Sequence, residues 1–214
     1  MFVGMPIINP NEQHRPSPSK EEVEGILVTI IPRFQILIAL LAGTGPRIGE
    51  ALGLKVEDLT DDCRVLRVRR SLWCRKEQAP RTSNAIRIID VHETLARALR
   101  AYTAGKTGLL FATKKGKPLG QRNVLHALLK AGGTCGFHGF RRFRTETLRK
   151  ERIPEDLIKL WVGHASKTVT ALYAEGLREH QDWRQDWCAR AGLRFNLPGS
   201  IGVNVFEMKI AVNA

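Results

Sequence analysis

The chain is 214 residues long, enough for one large domain or two small ones around a buried core. It carries 34 lysines and arginines against 21 acids, a formal net charge of +13. That surplus implies an anionic partner, most simply the phosphates of nucleic acid; a ribosomal or membrane-surface protein is the plainer alternative. The basic residues run from Arg47 to Arg194, which favours a folded basic surface over a disordered basic arm.

Residues 1–17, with Pro10 and Pro16, read as a tail or linker remnant, and the first twenty residues lack the charged-then-apolar plan of a signal peptide. Ser19 ahead of Glu21, Glu22 and Glu24 predicts a capped helix with acids in its first turn, ending near Pro32. A second helix is predicted over 34–42. Pro32, Arg33 and Gln35 interrupt the apolar run 26–43, so two buried helices are expected there rather than a membrane span. Thr44-Gly45-Pro46 breaks the chain, and a short helix starts near Arg47.

Apolar and basic residues partly alternate over 64–70, as in a half-exposed strand. A second strand is expected over 85–91, and the stretch 76–84, with Pro80 and Asn84, reads as the hairpin tip between them. Helices are predicted near 93–104, 121–131, 139–151, 154–162, 167–173 and 179–191. From about 195 the chain turns apolar, with Gly199 and Gly202, and is expected to form a terminal strand or a partner-docking segment. The fold class is therefore α+β and mainly α, a helical domain over 18–192 with a small antiparallel sheet and a C-terminal tail over 193–214. The cysteines at 63, 74, 135 and 188 form no Cys-x-x-Cys pair and stand at no zinc-finger spacing to a histidine. They are expected to be reduced thiols of a cytoplasmic protein, mostly in the core, and no metal site or cofactor is expected.

Three segments hold the residues suited to chemistry. In TGPRIGEALGL, Arg47 stands at a helix start with Glu50 on the same face three residues on, although a capped helix with an ordinary salt bridge has the same pattern. In HGFRRFRTETLRK, His138 and Arg141 share one helix face, with Arg144 and Lys150 extending the basic side and Phe140, Phe143 and Leu148 the buried side. An amphipathic helix with a solvated basic stripe explains that segment equally simply. In WVGHASKTVTALYAEG, Gly163-His164 ends a helix and Tyr173 follows nine residues after His164. Tyr102, the other tyrosine, ends an apolar helix and reads as structural.

Taken in this order, the segments resemble the tyrosine recombinase (phage integrase) family. Its motifs are an arginine in T-G-x-R-x-x-E, a lysine in a hairpin, H-x-x-R, G-H and a late tyrosine. The resemblance covers roughly residues 19–190. It implies that Arg47, His138, Arg141, His164 and Tyr173 occupy catalytic positions and that Glu50 occupies the acidic supporting position. Where the family has its hairpin lysine, this chain has Arg81 in PRTSNAIRIIDV, and Lys76 is the nearest lysine in the hairpin. Arg70, Lys76, Arg87, Arg142 and Arg144 are expected as further DNA contacts. The family's DNA breaking-rejoining fold agrees with the helical pattern and the small sheet.

The chemistry suits these residue types. Two arginines, Arg47 and Arg141, can each donate paired hydrogen bonds to the non-bridging oxygens of a phosphodiester and stabilise its pentavalent transition state. A phenol titrates at roughly 10 and needs a base or a positive pocket; His138 is expected as the base and His164 as a donor to a phosphate oxygen. The resemblance implies a 3′-phosphotyrosyl link, a free 5′ hydroxyl, and neither ATP nor metal. The leaving 5′ oxygen needs a proton that the family's lysine supplies, and arginine is a poor acid in its place. The expected activity is site-specific recombination or integration of double-stranded DNA by a homo-tetramer on paired sites. A separate clamp domain or partner would enclose the duplex, and no membrane is involved. The alternatives are a catalytically weak, DNA-binding remnant of a mobile-element integrase, and a type IB topoisomerase, which more often has lysine at the position of His138.

Overall fold

Ser19 caps the first helix, α1 (Lys20–Thr29): its Oγ accepts the Glu22 N–H at 3.1 Å, with Glu21 and Glu22 in the first turn beside the unpaired peptide N–H groups. The computed structural model describes residues 17–78, 86–163, 176, 179–199 and 201. Pro32 occupies the first position of α2 (Pro32–Thr44), where a missing N–H removes no helical bond. Every residue from Phe34 to Thr44 is buried. A helix apolar on all sides must lie inside the molecule, and α2 is the central element, with α1, α3 (Ile48–Gly53), α4 (Glu93–Thr103) and α6 (Phe137–Lys150) packed around it. Among the described residues no helix is long and apolar enough to cross a membrane.

The sheet is more divided than the sequence predicts. Strand β1 (Val65–Val68) pairs antiparallel with β4 (Arg87–Asp90), with Val65 opposite Asp90 and Val68 opposite Arg87. Between them, β2 (Ser71–Trp73) and β3 (Lys76–Gln78) form a hairpin of their own. Cys74 and Arg75 make its two-residue turn, both at positive φ (50° and 63°), the backbone twist that matches two right-twisted strands. The Asn-Gly or Asp-Gly pair that normally announces such a turn is absent, so the inner hairpin carries no local signal. Lys76 consequently lies in a strand, not in the tip, and most of the expected tip (79–84) is outside the described residues.

The remaining described helices are α5 (Gln121–Lys130), α7 (Glu155–Val162) and α8 (Gln181–Ala191). The expected helix over 167–173 falls outside the described residues. The helix expected to begin at 139 begins at Phe137, which brings His138 into its first turn. The chain does not leave the domain at 193: Leu193, Phe195 and Ile201 are buried in the main core, and Phe195 stacks 6.2 Å from Phe143. Glu24 holds the same stretch, accepting from the Asn196 backbone N–H at 2.7 Å and from its Nδ2 at 2.9 Å. Alternating apolar residues look like a tail in sequence because the surface that receives them, made by α1 and α6, forms only on folding. Cys63, Cys135 and Cys188 are buried, Cys74 is exposed, and all four are free thiols.

Candidate active site

Gly45 ends α2 in the left-handed conformation (φ 73°), and a Cβ there would lie 3.3 Å from Cβ of Arg144. The chain then turns sharply into α3, with Arg47 extended at its N-cap. Glu50 folds back to accept from the Arg47 backbone N–H at 2.8 Å and from Arg47 Nη1 at 3.0 Å. From β4, Arg87 meets the same carboxylate fork to fork, Nη2 to Oε2 at 2.7 Å and Nη1 to Oε1 at 3.1 Å. Its Nε donates to the Trp161 carbonyl at 2.9 Å. From α6, Arg141 donates through Nη1 to the Gly45 carbonyl at 3.0 Å and through Nη2 to the Val162 carbonyl. Gly45, Trp161 and Val162 all lie at helix C-terminal ends, where carbonyls lack helical partners and the dipole is negative, so guanidinium groups settle there.

The three motif segments are thereby drawn into one cluster. Three guanidinium groups, of Arg47, Arg87 and Arg141, surround the single carboxylate of Glu50. Burial would push the Glu50 carboxyl up, but the hydrogen bonds and charges of Arg87 and Arg47 outweigh it and hold its pKa below the ordinary 4.5. Burial first, and then the charges of Arg47 and Arg87, pull Arg141 down to about 10. Three guanidinium groups share one carboxylate, so the cluster keeps an excess of positive charge, which favours an anion.

Arg47 keeps 47% of its side chain exposed, and His138 is exposed one turn before Arg141 on α6. Arg81, His164 and Tyr173 lie outside the described residues. The outer basic residues are divided. Lys76 is exposed on β3, and Arg142 is half-buried on α6. Arg87 and Arg144, expected to face DNA, are only 3% and 2% exposed and turn inward, Arg144 Nη1 donating to the Gly192 carbonyl at 2.6 Å. Arg70 is largely covered too, pairing with buried Asp58 and donating to the Gly53 carbonyl at 3.3 Å. For Arg87 the reason is that β4 is covered by α7 and α8 as well as by β1, so an arginine in that strand has no outward face. The residues missed by sequence reasoning are Asp90, Trp161 and Arg184, buried partners far apart in the chain.

Gly163 follows α7 at φ 72°, and a Cβ on it would lie 2.9 Å from both Cδ and Nε of Arg87. Arg87 is held by Glu50 and the Trp161 carbonyl and has no room to yield. Gly163→Ala is therefore expected to destabilise the fold by about 2–4 kcal/mol, combining left-handed strain with overpacking, as measured by urea denaturation. A midpoint unchanged from the parent would contradict this packing.

With the Arg47–Glu50 turn, the Arg141 helix and Gly163 brought to one place, comparison with known proteins is decisive. The model of the Phage integrase family matches residues 19–180. The chain belongs to the phage integrase family. Tyrosine recombinase XerD of Corynebacterium glutamicum is 32% identical over 161 residues, covering 69% of this chain and 51% of its own. Tyrosine recombinase XerA of Thermococcus kodakarensis is 26% identical over 175 residues, covering 76% and 58%. This phage integrase family member spans about half the length of the first curated relatives it matches. Among solved structures, the Tn1549 transposon integrase in complex with transposon right end DNA superposes with a TM-score of 0.63 at 20% identity, covering 82% of this chain and 69% of that one. The integrase from mycobacterium phage Brujita superposes at 0.63 and 19% identity, covering 93% and 65%. Both share the fold of the phage integrase family with this chain.

Proposed function

We propose that this chain is the catalytic part of a site-specific DNA recombinase or integrase that cuts and rejoins strands through Tyr173. The observation that carries the reading is the cluster of Arg47, Arg87 and Arg141 around Glu50, an excess of guanidinium charge suited to a phosphate. Arg87 and Glu50 act as the buried brace. Arg47 and Arg141 present donors to the non-bridging oxygens, and His164 adds a further one. His138 takes the phenol proton as the Tyr173 oxygen attacks phosphorus. The new bond is a 3′-phosphotyrosyl ester, the bond to the 5′ oxygen breaks, and that oxygen leaves with a proton. Rejoining reverses these steps with a 5′ hydroxyl from a second strand, so the bond energy is kept.

Lys76 and Arg142 are the remaining outer phosphate contacts. Exchange between two duplexes calls for a homo-tetramer on paired double-stranded sites in the cytoplasm, with a clamp domain or partner around each duplex. The test is incubation with a nicked duplex bearing the recognised site, which traps the covalent intermediate. The expected product is a protein–DNA adduct whose attached peptide contains Tyr173. An adduct mapped to another residue, or none on a site the protein binds specifically, would overturn the assignment.

Arg81 takes the place of the proton donor, and a guanidinium releases a proton poorly. Arg81→Lys is expected to raise the rate of adduct formation by about 10-fold or more, within the roughly 10²–10⁴ that a positioned acid contributes. A 5′-phosphorothiolate substrate, whose sulfur leaves without a proton, should erase the difference. Equal rates for both proteins on the ordinary phosphate would remove Arg81 from that role.

A further inference from the structure

Asp90 closes β4 at 2% exposure, and its Oδ2 accepts two hydrogen bonds, from Trp161 Nε1 at 2.8 Å and from Arg184 Nε at 2.9 Å. Trp161 stands in the last turn of α7, two residues before Gly163, and Arg184 stands in the first turn of α8 at 1% exposure. The chain between these helices contains His164 and Tyr173. One carboxylate oxygen thus ties the helix that leads into this stretch to the helix that leads out of it.

The tie is continuous with the arginine cluster. Trp161 donates its indole N–H to Asp90 and accepts Arg87 Nε on its carbonyl, and Arg87 grips Glu50. Strand β4 therefore pins α7 twice, through Arg87 at one end and Asp90 at the other, and pins α8 through Asp90. The arrangement is an expensive way to gain stability. Among the described residues Asp90 Oδ1 is buried with no hydrogen-bond partner, and burial pushes the carboxyl above its ordinary 3.8 despite both donors. Apolar residues of similar size often replace a buried ion pair with equal or better stability.

We propose that Asp90 is a positioning residue for strand cleavage: by holding Trp161 and Arg184 on one oxygen it sets the separation of α7 and α8, and with it the approach of Tyr173 to the phosphate. The inference rests on the reading of Tyr173 as nucleophile. Its physical basis is that a displacement of about 1 Å at the attacking atom is worth up to roughly 10² in rate.

Two variants test it in the full chain. Asp90→Asn keeps the shape but removes the charge. The double variant Asp90→Leu with Arg184→Met removes the tie and also the buried charges, so its stability should return towards the parent value. For both, DNA affinity is expected within about threefold of the parent; adduct formation at saturating nicked duplex falls by about 10-fold to 10²-fold in the double variant and less in Asp90→Asn, which keeps one acceptor oxygen. A double variant that is as stable as the parent and cleaves at the parental rate would make the pair structural only and overturn the proposal. Trypsin cutting after Lys167 and Arg178, without DNA, gives a readout independent of the chemistry. The proposal expects it to accelerate at least about fivefold relative to cutting after Lys115. Should the parent form no adduct, the nucleophile reading fails alone, and the trypsin rates still decide: acceleration keeps the tie, and unchanged rates reject it.

Discussion

Arg141→Lys is expected to slow covalent adduct formation by about 10²–10³ while leaving DNA affinity within a few-fold, the loss associated with one preorganised donor to a transition-state oxyanion. Arg141 is 7% exposed and, among the described bonds, uses Nη1 for the Gly45 carbonyl and Nη2 for Val162. A guanidinium has five N–H donors on a rigid plane, so bonds to two carbonyls at fixed angles leave further donors aimed by the same plane. An ammonium has one nitrogen on a flexible stem. It can satisfy a carbonyl or reach a phosphate, but it cannot be aligned by the first for the second. The surroundings that pull Arg141 down to about 10 act equally on a lysine, starting from a lower ordinary value. The residual activity of the variant should therefore fall as pH is raised through roughly 7–9, where an ammonium in such a place loses its proton and an arginine does not. Single-turnover cleavage of a nicked duplex across that range measures both effects. A variant within fivefold of the parent, with a parallel pH profile, would remove Arg141 from the transition state.

Glu50→Ala is expected to destabilise the fold by about 3–5 kcal/mol, because it leaves the buried Arg87 guanidinium without its carboxylate. Against a total stability of roughly 5–15 kcal/mol for a typical domain, such a loss brings the protein close to unfolding. Glu50→Gln retains the shape and one acceptor oxygen, so its loss should be smaller. The pH dependence separates the charge from the packing. With its folded pKa below the ordinary 4.5, the Glu50 carboxylate adds stability above that value, and the addition is lost as pH falls through the lower folded value. The gap between parent and Glu50→Gln should then be full at neutral pH and close only as the pH falls through the folded value, below the ordinary 4.5. Asp90 shifts in the opposite sense but is present in both proteins and cancels. Urea midpoints of the two at neutral and acid pH supply the comparison, and a gap unchanged in acid would contradict the ionised brace.

What sequence alone determined here is whatever local chemistry controls. Ser19 as a cap and Gly45 as a break act within a few residues, and they recur in the structure where the sequence puts them; Pro32, read as the end of the first helix, instead opens the second. The order of the motif residues, Arg47 and Glu50, then His138 and Arg141, then Gly163-His164 and Tyr173, identified the family for the same reason: the spacing within each motif is itself local. The inner hairpin escaped because its turn, Cys74-Arg75, reaches positive φ without the residues that favour it.

Only the tertiary structure decided the fate of the arginines. Arg87 finds Glu50 thirty-seven positions away and Trp161 seventy-four positions away, and Arg184 finds Asp90 across ninety-four. A basic residue in a strand or helix reads as a surface charge until the elements that cover it are known, because burying a guanidinium depends on acceptors that no neighbouring sequence announces. Folding thus divides one set of arginines into two kinds, with Arg47 left half-exposed beside Glu50, and Arg87 and Arg144 turned inward onto the Glu50 carboxylate and the Gly192 carbonyl.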